Sequence, residues 1–251
     1  MALDDNSSTA FPRLTTTMCG VDIIRPEIKI CGLTNLADAQ LAVEHGAWAL
    51  GVIFHRPSPR RCTLVEATAI SSAFRREAEV VGVFVNRPLD EVVRIADATG
   101  LTMVQLHGDE GPIYAAQLAR RSGLRVIKAA QIAGKADLQA IGAFHTDFHL
   151  LDAHSEDLRG GTGMTFDWQL VESRHRRVPM ILSGGLTAEN VGEAIATTEP
   201  FGVDVASGVE AGPGRKDPAK LAAFFAVVSE IGVPRPAPAL PPTGHDSEIV
   251  A

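Results

Sequence analysis

Short apolar segments recur eight times along the chain, and stretches with helical spacing separate them. Their starts lie about 20 to 31 residues apart, the length of one strand, one helix and two short loops. Segments such as 80–85 and 178–182 are almost continuously apolar rather than alternating, which is typical of parallel strands covered by helices on both faces. We predict strands at 27–31, 48–54, 79–85, 102–106, 124–129, 147–152, 178–183 and 202–206.

Capping residues mark the ends of the predicted helices. Thr34 or Asn35 can cap the helix after the first strand, and Gly46 stands just past its end. Near the other end of the chain, Asp217 is an N-cap candidate directly before Pro218, and proline is favoured in the first helical position.

The repeated units predict the fold class: an α/β single-domain (β/α)8 TIM barrel over residues 27–232. An open doubly wound sheet is the topological alternative. A chain of 251 residues suffices for one such barrel. Residues 1–26 lack sustained periodicity and 233–251 are proline-rich. We therefore expect an N-terminal extension and a C-terminal tail, both poorly ordered.

Composition and charge narrow the function classes. The formal net charge is −7 without a long block of one sign, which argues against nucleic acid as a partner. No apolar run approaches the roughly 18 residues of a membrane span, and the first 20 residues carry no apolar signal segment. Three scattered cysteines fit neither a disulfide framework nor a zinc site. We expect a cytoplasmic protein that is a monomer or a homodimer and that binds a small molecule.

Two residues at predicted strand ends are candidate catalytic groups. Cys31 ends the first strand, directly before a glycine turn and a helix start. In a barrel this is the catalytic rim, and a nearby helix N-terminus lowers the pKa of a thiol. The alternative is a cysteine that packs as a small hydrophobic residue. Asp152 ends the sixth strand and is either a helix cap or a group projected into the barrel mouth.

Glycine-rich segments at 159–163, 182–187 and 204–210 follow the last three predicted strands. Glycine lets backbone N–H groups turn toward an anion, and barrels of this class often build a phosphate site from the loops after strands seven and eight. We therefore predict a phosphate site there.

Further polar groups follow the second and fourth strands. The basic loop 56–61 can pair with a carboxylate or be an ordinary solvated loop. His107 follows the fourth strand on the same face of the barrel, and a single histidine in such a place is more often structural than catalytic.

Together these motifs resemble the phosphoribosylanthranilate isomerase family, over about residues 28 to 225. Several ordered motifs make this more specific than a likeness of barrels. They are Lys-Ile-Cys-Gly-Leu-Thr at 29–34, Gly-Val-Ile-Phe at 51–54 with Ser-Pro-Arg at 58–60, Gly-Val-Phe-Val-Asn at 82–86, Val-Gln-Leu-His-Gly at 104–108, Leu-Asp at 151–152, Gly-Gly-Thr-Gly at 160–163 with Phe-Asp-Trp at 166–168, Leu-Ser-Gly-Gly-Leu at 182–186, and the segment 204–216.

The resemblance implies an aldose–ketose isomerase of tryptophan biosynthesis. Its reaction is the Amadori rearrangement of N-(5′-phosphoribosyl)anthranilate to 1-(2-carboxyphenylamino)-1-deoxyribulose 5-phosphate, without metal or other cofactor. Asp152 is then the general acid that protonates the ribose ring oxygen, and Cys31 the general base that removes the proton from C2′. Arg60 holds the anthranilate carboxylate, with Arg61 left as an alternative. The other implied substrate-binding residues are His107, Gly161, Thr162, Gly163, Gly184, Gly185, Asp204, Ser207 and Gly208.

Two other functions fit parts of the pattern. Sugar isomerases of histidine biosynthesis run the same rearrangement, but they resemble two fused half-barrels with a phosphate loop in each and use an aspartate as base. Here Cys31 occupies that strand end, and the first half has no loop comparable to 160–163. A noncatalytic phosphate-binding barrel would need neither a thiol nor a carboxylate at opposing strand ends.

Overall fold

The computed structural model describes residues 15–18, 21–152, 171 and 177–234. Eight parallel strands close into a barrel in the order β10-β3-β4-β5-β6-β7-β8-β9. The closing pair is β10 with β3, where Asp204 lies opposite Lys29. The barrel strands are β3 (Glu27–Cys31), β4 (Ala49–Ile53), β5 (Glu79–Phe84), β6 (Met103–Leu106), β7 (Arg125–Gln131), β8 (Phe148–Asp152), β9 (Met180–Ser183) and β10 (Gly202–Val205).

Helices connect these strands on the outside of the barrel. Asn35 accepts a hydrogen bond from the Asp38 N–H, and Asp217 accepts from Ala219 and Lys220, which confirms both predicted caps. The described helices are α1 (Leu36–Glu44), α2 (Leu64–Phe74), α3 (Leu89–Thr99), α4 (Pro112–Ser122), α5 (Lys135–Ile141), α6 (Val191–Thr198) and α7 (Pro218–Glu230).

The predicted strands are confirmed. All eight are present, and each observed boundary lies within two residues of the predicted one. Closure into a barrel excludes the open doubly wound sheet. The apolar runs were informative because strands buried on both faces carry hydrophobic residues at every position.

The core has two layers, one between strands and helices and one inside the barrel. Ile28 and Ile30 pack in the outer layer, so strand alternation turns Lys29 and Cys31 to the inside. At the end of the barrel where the strands begin, the Phe148 ring contacts the rings of Trp48 and Phe201, which directly precede β4 and β10. The carboxyl ends of the strands therefore form the mouth. The inner cluster consists of Ala49, Val81, Met103, Ile127, Ala129, Phe148, Leu150 and Ile181.

A separate three-stranded antiparallel sheet joins the two ends of the described chain. β1 (Thr15–Met18) pairs with β2 (Val21–Ile24), and β2 pairs with β13 (Val233–Pro234). These strands fall in the segments predicted as poorly ordered extensions, where the sequence has no sustained periodicity. The domain boundary at 27–232 stays a prediction. Within the described ranges, no helix is both long and apolar enough to cross a lipid bilayer.

Gly82 on β5 gives a test of the outer layer. A Cβ at this position would overlap Cδ1 of Leu101 and lie 2.8 Å from Cε2 of Phe84. We expect Gly82→Ala to lower the free energy of unfolding by about 1–3 kcal/mol through overpacking, measured by urea unfolding. Gly192→Ala in α6 is the control, because its Cβ would meet Ile231 at an ordinary 3.5 Å and alanine favours helix. Equal stability of Gly82→Ala and the wild type would contradict this packing.

Candidate active site

Cys31 and Asp152 lie at the mouth of the barrel. They are the last residues of β3 and β8, and the parallel strands bring their carboxyl ends to one rim. Two strands separate β3 from β8 on one side of the closed sheet and four on the other. The thiol and the carboxylate therefore belong to opposite halves of the same mouth.

A buried ion pair lies beside Cys31. The Lys29 side chain is completely buried, and its Nζ lies 2.7 Å from Oδ1 of Asp204. The same ammonium is close enough to the Cys31 side chain to act on its thiol electrostatically. Gly51 makes room for both groups, because a Cβ there would lie 2.8 Å from Sγ and 3.1 Å from Nζ. Ser183 donates to the other oxygen of Asp204 at 3.2 Å.

The charges around Cys31 act in opposite directions. Burial raises the pKa of the thiol, Lys29 and Lys216 oppose that rise, and Asp204 adds to it, so that the net pKa is raised. The helix N-terminus considered from the sequence is therefore not the dominant influence. Burial by itself lowers the pKa of Lys29, but its contacts with Asp204 and Cys31 outweigh burial and raise it.

Arg60 lies on the Cys31 side of the mouth and pairs with Glu210. Its Nε lies 3.0 Å from each carboxylate oxygen, and Nη2 lies 2.8 Å from Oε2. Gly32, at φ +77°, allows this approach, since a Cβ there would lie 2.7 Å from Cδ of Arg60. Lys216 Nζ contacts Glu210 at 3.1 Å and the Cys31 carbonyl oxygen at 2.7 Å.

In the cluster of Arg60, Glu210 and Lys216, burial and pairing act in opposite directions on the pKa values of Glu210 and Lys216. Burial disfavours the Glu210 carboxylate, but the Arg60 hydrogen bonds and the Lys216 ammonium outweigh it and lower the pKa of Glu210. Burial also lowers the pKa of Lys216, and Glu210 offsets only part of that effect.

The Arg61 side chain extends in a different direction from that of Arg60. Arg61 forms an isolated bridge with Ile53 and lines an outer cavity with Phe54 and Arg94. The two arginines that the sequence left as alternatives are thereby distinguished by position.

On the other half of the mouth, His107 lies between Gln105 and Asp152. The His107 Nε2 is 3.7 Å from Oδ2 of Asp152, and Nδ1 is 2.9 Å from the Gln105 amide nitrogen. An amide nitrogen donates, so Nδ1 is the acceptor in this contact and Nε2 faces the carboxylate. His107 therefore belongs to the site as the neighbour of the proposed acid.

The structure describes two of the three predicted phosphate-binding segments, 182–187 and 204–210. Gly184 (φ +104°) and Gly185 (φ +61°) turn the chain after β9. Gly208 lies in a single 3-10 turn after β10 (Ser207–Val209), and a Cβ there would overlap the Leu186 carbonyl oxygen. The two loops are thus packed backbone to backbone. Gly161, Thr162 and Gly163 lie outside the described residues.

Comparison with known proteins shows the family of this chain. A family model described as N-(5′-phosphoribosyl)anthranilate (PRA) isomerase matches residues 28–227. The N-(5′-phosphoribosyl)anthranilate isomerase of Pelobacter propionicus is 43% identical over 204 residues, which is 81% of this chain and 96% of that protein.

The chain belongs to the N-(5′-phosphoribosyl)anthranilate isomerase family.

Solved structures of phosphoribosylanthranilate isomerases share the fold. The enzyme of Thermotoga maritima is 37% identical with a TM-score of 0.74, covering 82% of this chain and 100% of its own. A second structure, 36% identical with a TM-score of 0.71 and the same coverage, is a phosphoribosylanthranilate isomerase in complex with reduced 1-(o-carboxyphenylamino)-1-deoxyribulose 5-phosphate. The chain is an isomerase.

The structure adds four polar residues to this isomerase site that sequence reasoning did not single out. Among them, Lys29 carries a usable signal, since a lysine inside an apolar strand, two residues before Cys31, shares its face. Gln105, Glu210 and Lys216 stand inside recognised motifs but carry no separate signal. The roles of Glu210 and Lys216 depend on contacts distant in sequence, with Arg60 and with the Cys31 carbonyl oxygen.

Glu210 gives a pH-dependent test of stability. Its pKa is lowered from the ordinary 4.5 in the folded protein. Its stabilising contribution is therefore complete above that value and lost as pH falls through the lower folded pKa. We expect Glu210→Gln to reduce the free energy of unfolding at neutral pH by about 1.5–3 kcal/mol, as for a lost charged hydrogen bond.

The measurement is Tm against pH for Glu210→Gln and wild type. The difference should shrink below pH 4.5, where the native carboxylate also becomes protonated. Glu77→Gln, at an exposed position, is the control and should follow the wild type. A Tm difference for Glu210→Gln that stays constant down to the acid limit would contradict the assignment.

Proposed function

We propose that this isomerase converts N-(5′-phosphoribosyl)anthranilate to 1-(2-carboxyphenylamino)-1-deoxyribulose 5-phosphate in tryptophan biosynthesis, with Asp152 as general acid and Cys31 as general base. The observation that carries the proposal is the placement of the two groups at opposite halves of one barrel mouth. A sugar held between them has one face toward each.

The reaction then proceeds in two proton transfers. Asp152 donates its proton to the ribose ring oxygen, the bond from that oxygen to C1′ breaks, and the anthranilate nitrogen lone pair forms the C=N bond of a Schiff base. The Cys31 thiolate next removes the proton from C2′. The electron pair of that C–H bond forms the C1′=C2′ double bond, and the C=N pair returns to nitrogen. The resulting enolamine tautomerises to the ketone, so only protons are exchanged.

Arg60 is suited to bind the anthranilate carboxylate. Glu210 occupies the edge of the guanidinium that carries Nε and one Nη2 hydrogen. Arginine has five N–H donors in a planar fork. The edge that carries Nη1 can therefore donate two hydrogen bonds to a second carboxylate in bidentate geometry. Arg60 also lies over Gly32, next to Cys31, which supports Arg60 over Arg61 for this role.

The terminal phosphate is assigned to the glycine loops that follow the last two barrel strands. Gly184, Gly185, Ser207 and Gly208 belong to loops after β9 and β10, where barrels of this class commonly bind phosphate. Close packing of Gly208 on the Leu186 carbonyl supports one continuous backbone surface. Gly161, Thr162 and Gly163 are proposed to complete it, and His107 and Asp204 remain predicted substrate-binding residues.

Removing either proton-transfer group tests the mechanism. We expect Cys31→Ala and Asp152→Asn each to lower kcat by roughly 10²- to 10⁴-fold, the usual loss for a positioned acid or base. The assay follows the fluorescence of N-(5′-phosphoribosyl)anthranilate as it is consumed.

Matched controls are available for both substitutions. Cys62→Ala removes another buried thiol, and Asp147→Asn changes a carboxylate next to the amino end of β8, where it accepts from the Val126 N–H. Both should keep kcat near the wild-type value. A rate within a few-fold of wild type for either active-site variant would remove that residue from the mechanism.

Arg60→Ala tests the carboxylate contact. Loss of a charged bidentate pair should raise KM by about 10- to 100-fold with a smaller effect on kcat. Arg61→Ala is the control, because this side chain lines the outer cavity, and its KM should not change. The reverse result, with KM raised only in Arg61→Ala, would move the contact to Arg61.

A further inference from the structure

The Lys29 ammonium inside the barrel is a charge that the proposed mechanism does not use. Its side chain has no solvent exposure, and its partner Asp204 is 7% exposed. A lysine is almost never fully buried unless paired, and even a good buried pair often contributes no more to stability than apolar residues of the same volume. Stability alone is therefore a weak reason for a charged residue here.

The geometry joins this ammonium to the thiol. Lys29 and Cys31 are two residues apart on β3 and point to the same side. The positions that a Cβ on Gly51 would contact include both Sγ and Nζ, so the two groups converge on the same space. Asp204 is held from its other side by Ser183, which fixes the carboxylate that anchors Nζ.

We propose that Lys29 is a positioning residue that favours the thiolate form of Cys31, with Asp204 as the anion that competes with the sulfur for the ammonium. The inference rests on the proposed function, in which this sulfur is the general base. Lys29 does not touch the substrate and acts only through Cys31.

The charged groups that the described part of the chain places near the sulfur enter the expected result. From β3 comes Lys29, from β10 comes Asp204, and Lys216 reaches the Cys31 carbonyl oxygen from β12 (Arg215–Lys216). Behind Lys216 lies Glu210, itself bound to Arg60. The facing strand β4 contributes Gly51, without a side chain.

Lys29 and Asp204 should therefore shift the thiol in opposite directions. Removing the ammonium with Lys29→Met should raise the pKa of Cys31 by at least about one unit, since an opposite charge in contact shifts a pKa by about 1–3 units. Removing the competing anion with Asp204→Asn should lower it. A merely structural role would disturb the thiol in the same direction in both variants.

The first measurement is the titration of the Cys31 thiolate by its ultraviolet absorbance in the free protein. Each variant is compared with the same variant carrying Cys31→Ser, so that the difference reports this sulfur alone. We expect at least about tenfold less thiolate at a fixed pH below the pKa in Lys29→Met, and more thiolate in Asp204→Asn than in wild type. Unchanged titration in both variants, or shifts of the same sign, would overturn the proposal.

Lys128→Met is the matched control. Lys128 is another buried ammonium, held by Glu110 and the Gly108 carbonyl, and it lies on β7. Its removal should leave the Cys31 titration unchanged, and an equal shift would show that any lost buried charge has this effect.

If Lys29→Met does not fold because Asp204 is left unpaired, Lys29→Met with Asp204→Asn removes both charges. In that double variant the thiolate should still form only at higher pH than in Asp204→Asn alone.

Kinetics separate this inference from the proposed function. If Lys29 acts through Cys31, the limb of kcat/KM that rises with pH should move in the same direction as the thiolate titration in both variants. A shifted titration with an unshifted pH profile would leave the Lys29–Cys31 contact in place and remove Cys31 as the base. An unshifted titration together with a loss of kcat in Cys31→Ala would keep Cys31 as the base and overturn the role of Lys29.

Discussion

The ion pair between Lys29 and Asp204 is the interaction on which the active site depends. It joins β3 to β10 at the seam where the barrel closes. Each charge is buried among apolar residues, so neither is stable there without the other. The pair thus adds a side-chain link to the backbone ladder between the strand that carries the thiol and the strand that leads into a glycine loop. Cys31, Ser183 and the loop after β10 are all positioned relative to it.

Around this pair, the loops of the mouth form one polar network. The Thr34 hydroxyl donates to the Gly214 carbonyl at 2.6 Å, and the Lys216 N–H donates to Asp38 at 2.8 Å. Glu210 then connects the loop after β10 to Arg60 in the loop after β4. The proposed carboxylate-binding arginine and the proposed base therefore share a framework, because Lys216 touches both Glu210 and the Cys31 backbone.

Sequence predicted the barrel and the strand-end residues because these are local signals. An apolar run, a capping residue such as Asn35, and a thiol before a glycine turn are each read within a few residues. The pairs that give the site its electrostatics are not local. Lys29 and Asp204 are separated by 175 positions, and Arg60 and Glu210 by 150, and only barrel closure brings them together. The small sheet of β1, β2 and β13 was missed because its strands are too short to show periodicity.

In the proposed mechanism the Cys31 thiol acts in an enclosed place, where opposing influences set its pKa. Burial makes the sulfur hold its proton more tightly, and a base with high proton affinity is effective against a weakly acidic C–H bond. The same burial leaves little of the sulfur ionised. A contacting ammonium offsets part of that cost, and the Asp204 carboxylate limits how far it does so. Catalysis is favoured when the pKa of the base lies near the working pH. On balance the pKa of the thiol stays raised, so in the proposed mechanism the Lys29 ammonium is the group that brings the base toward that condition.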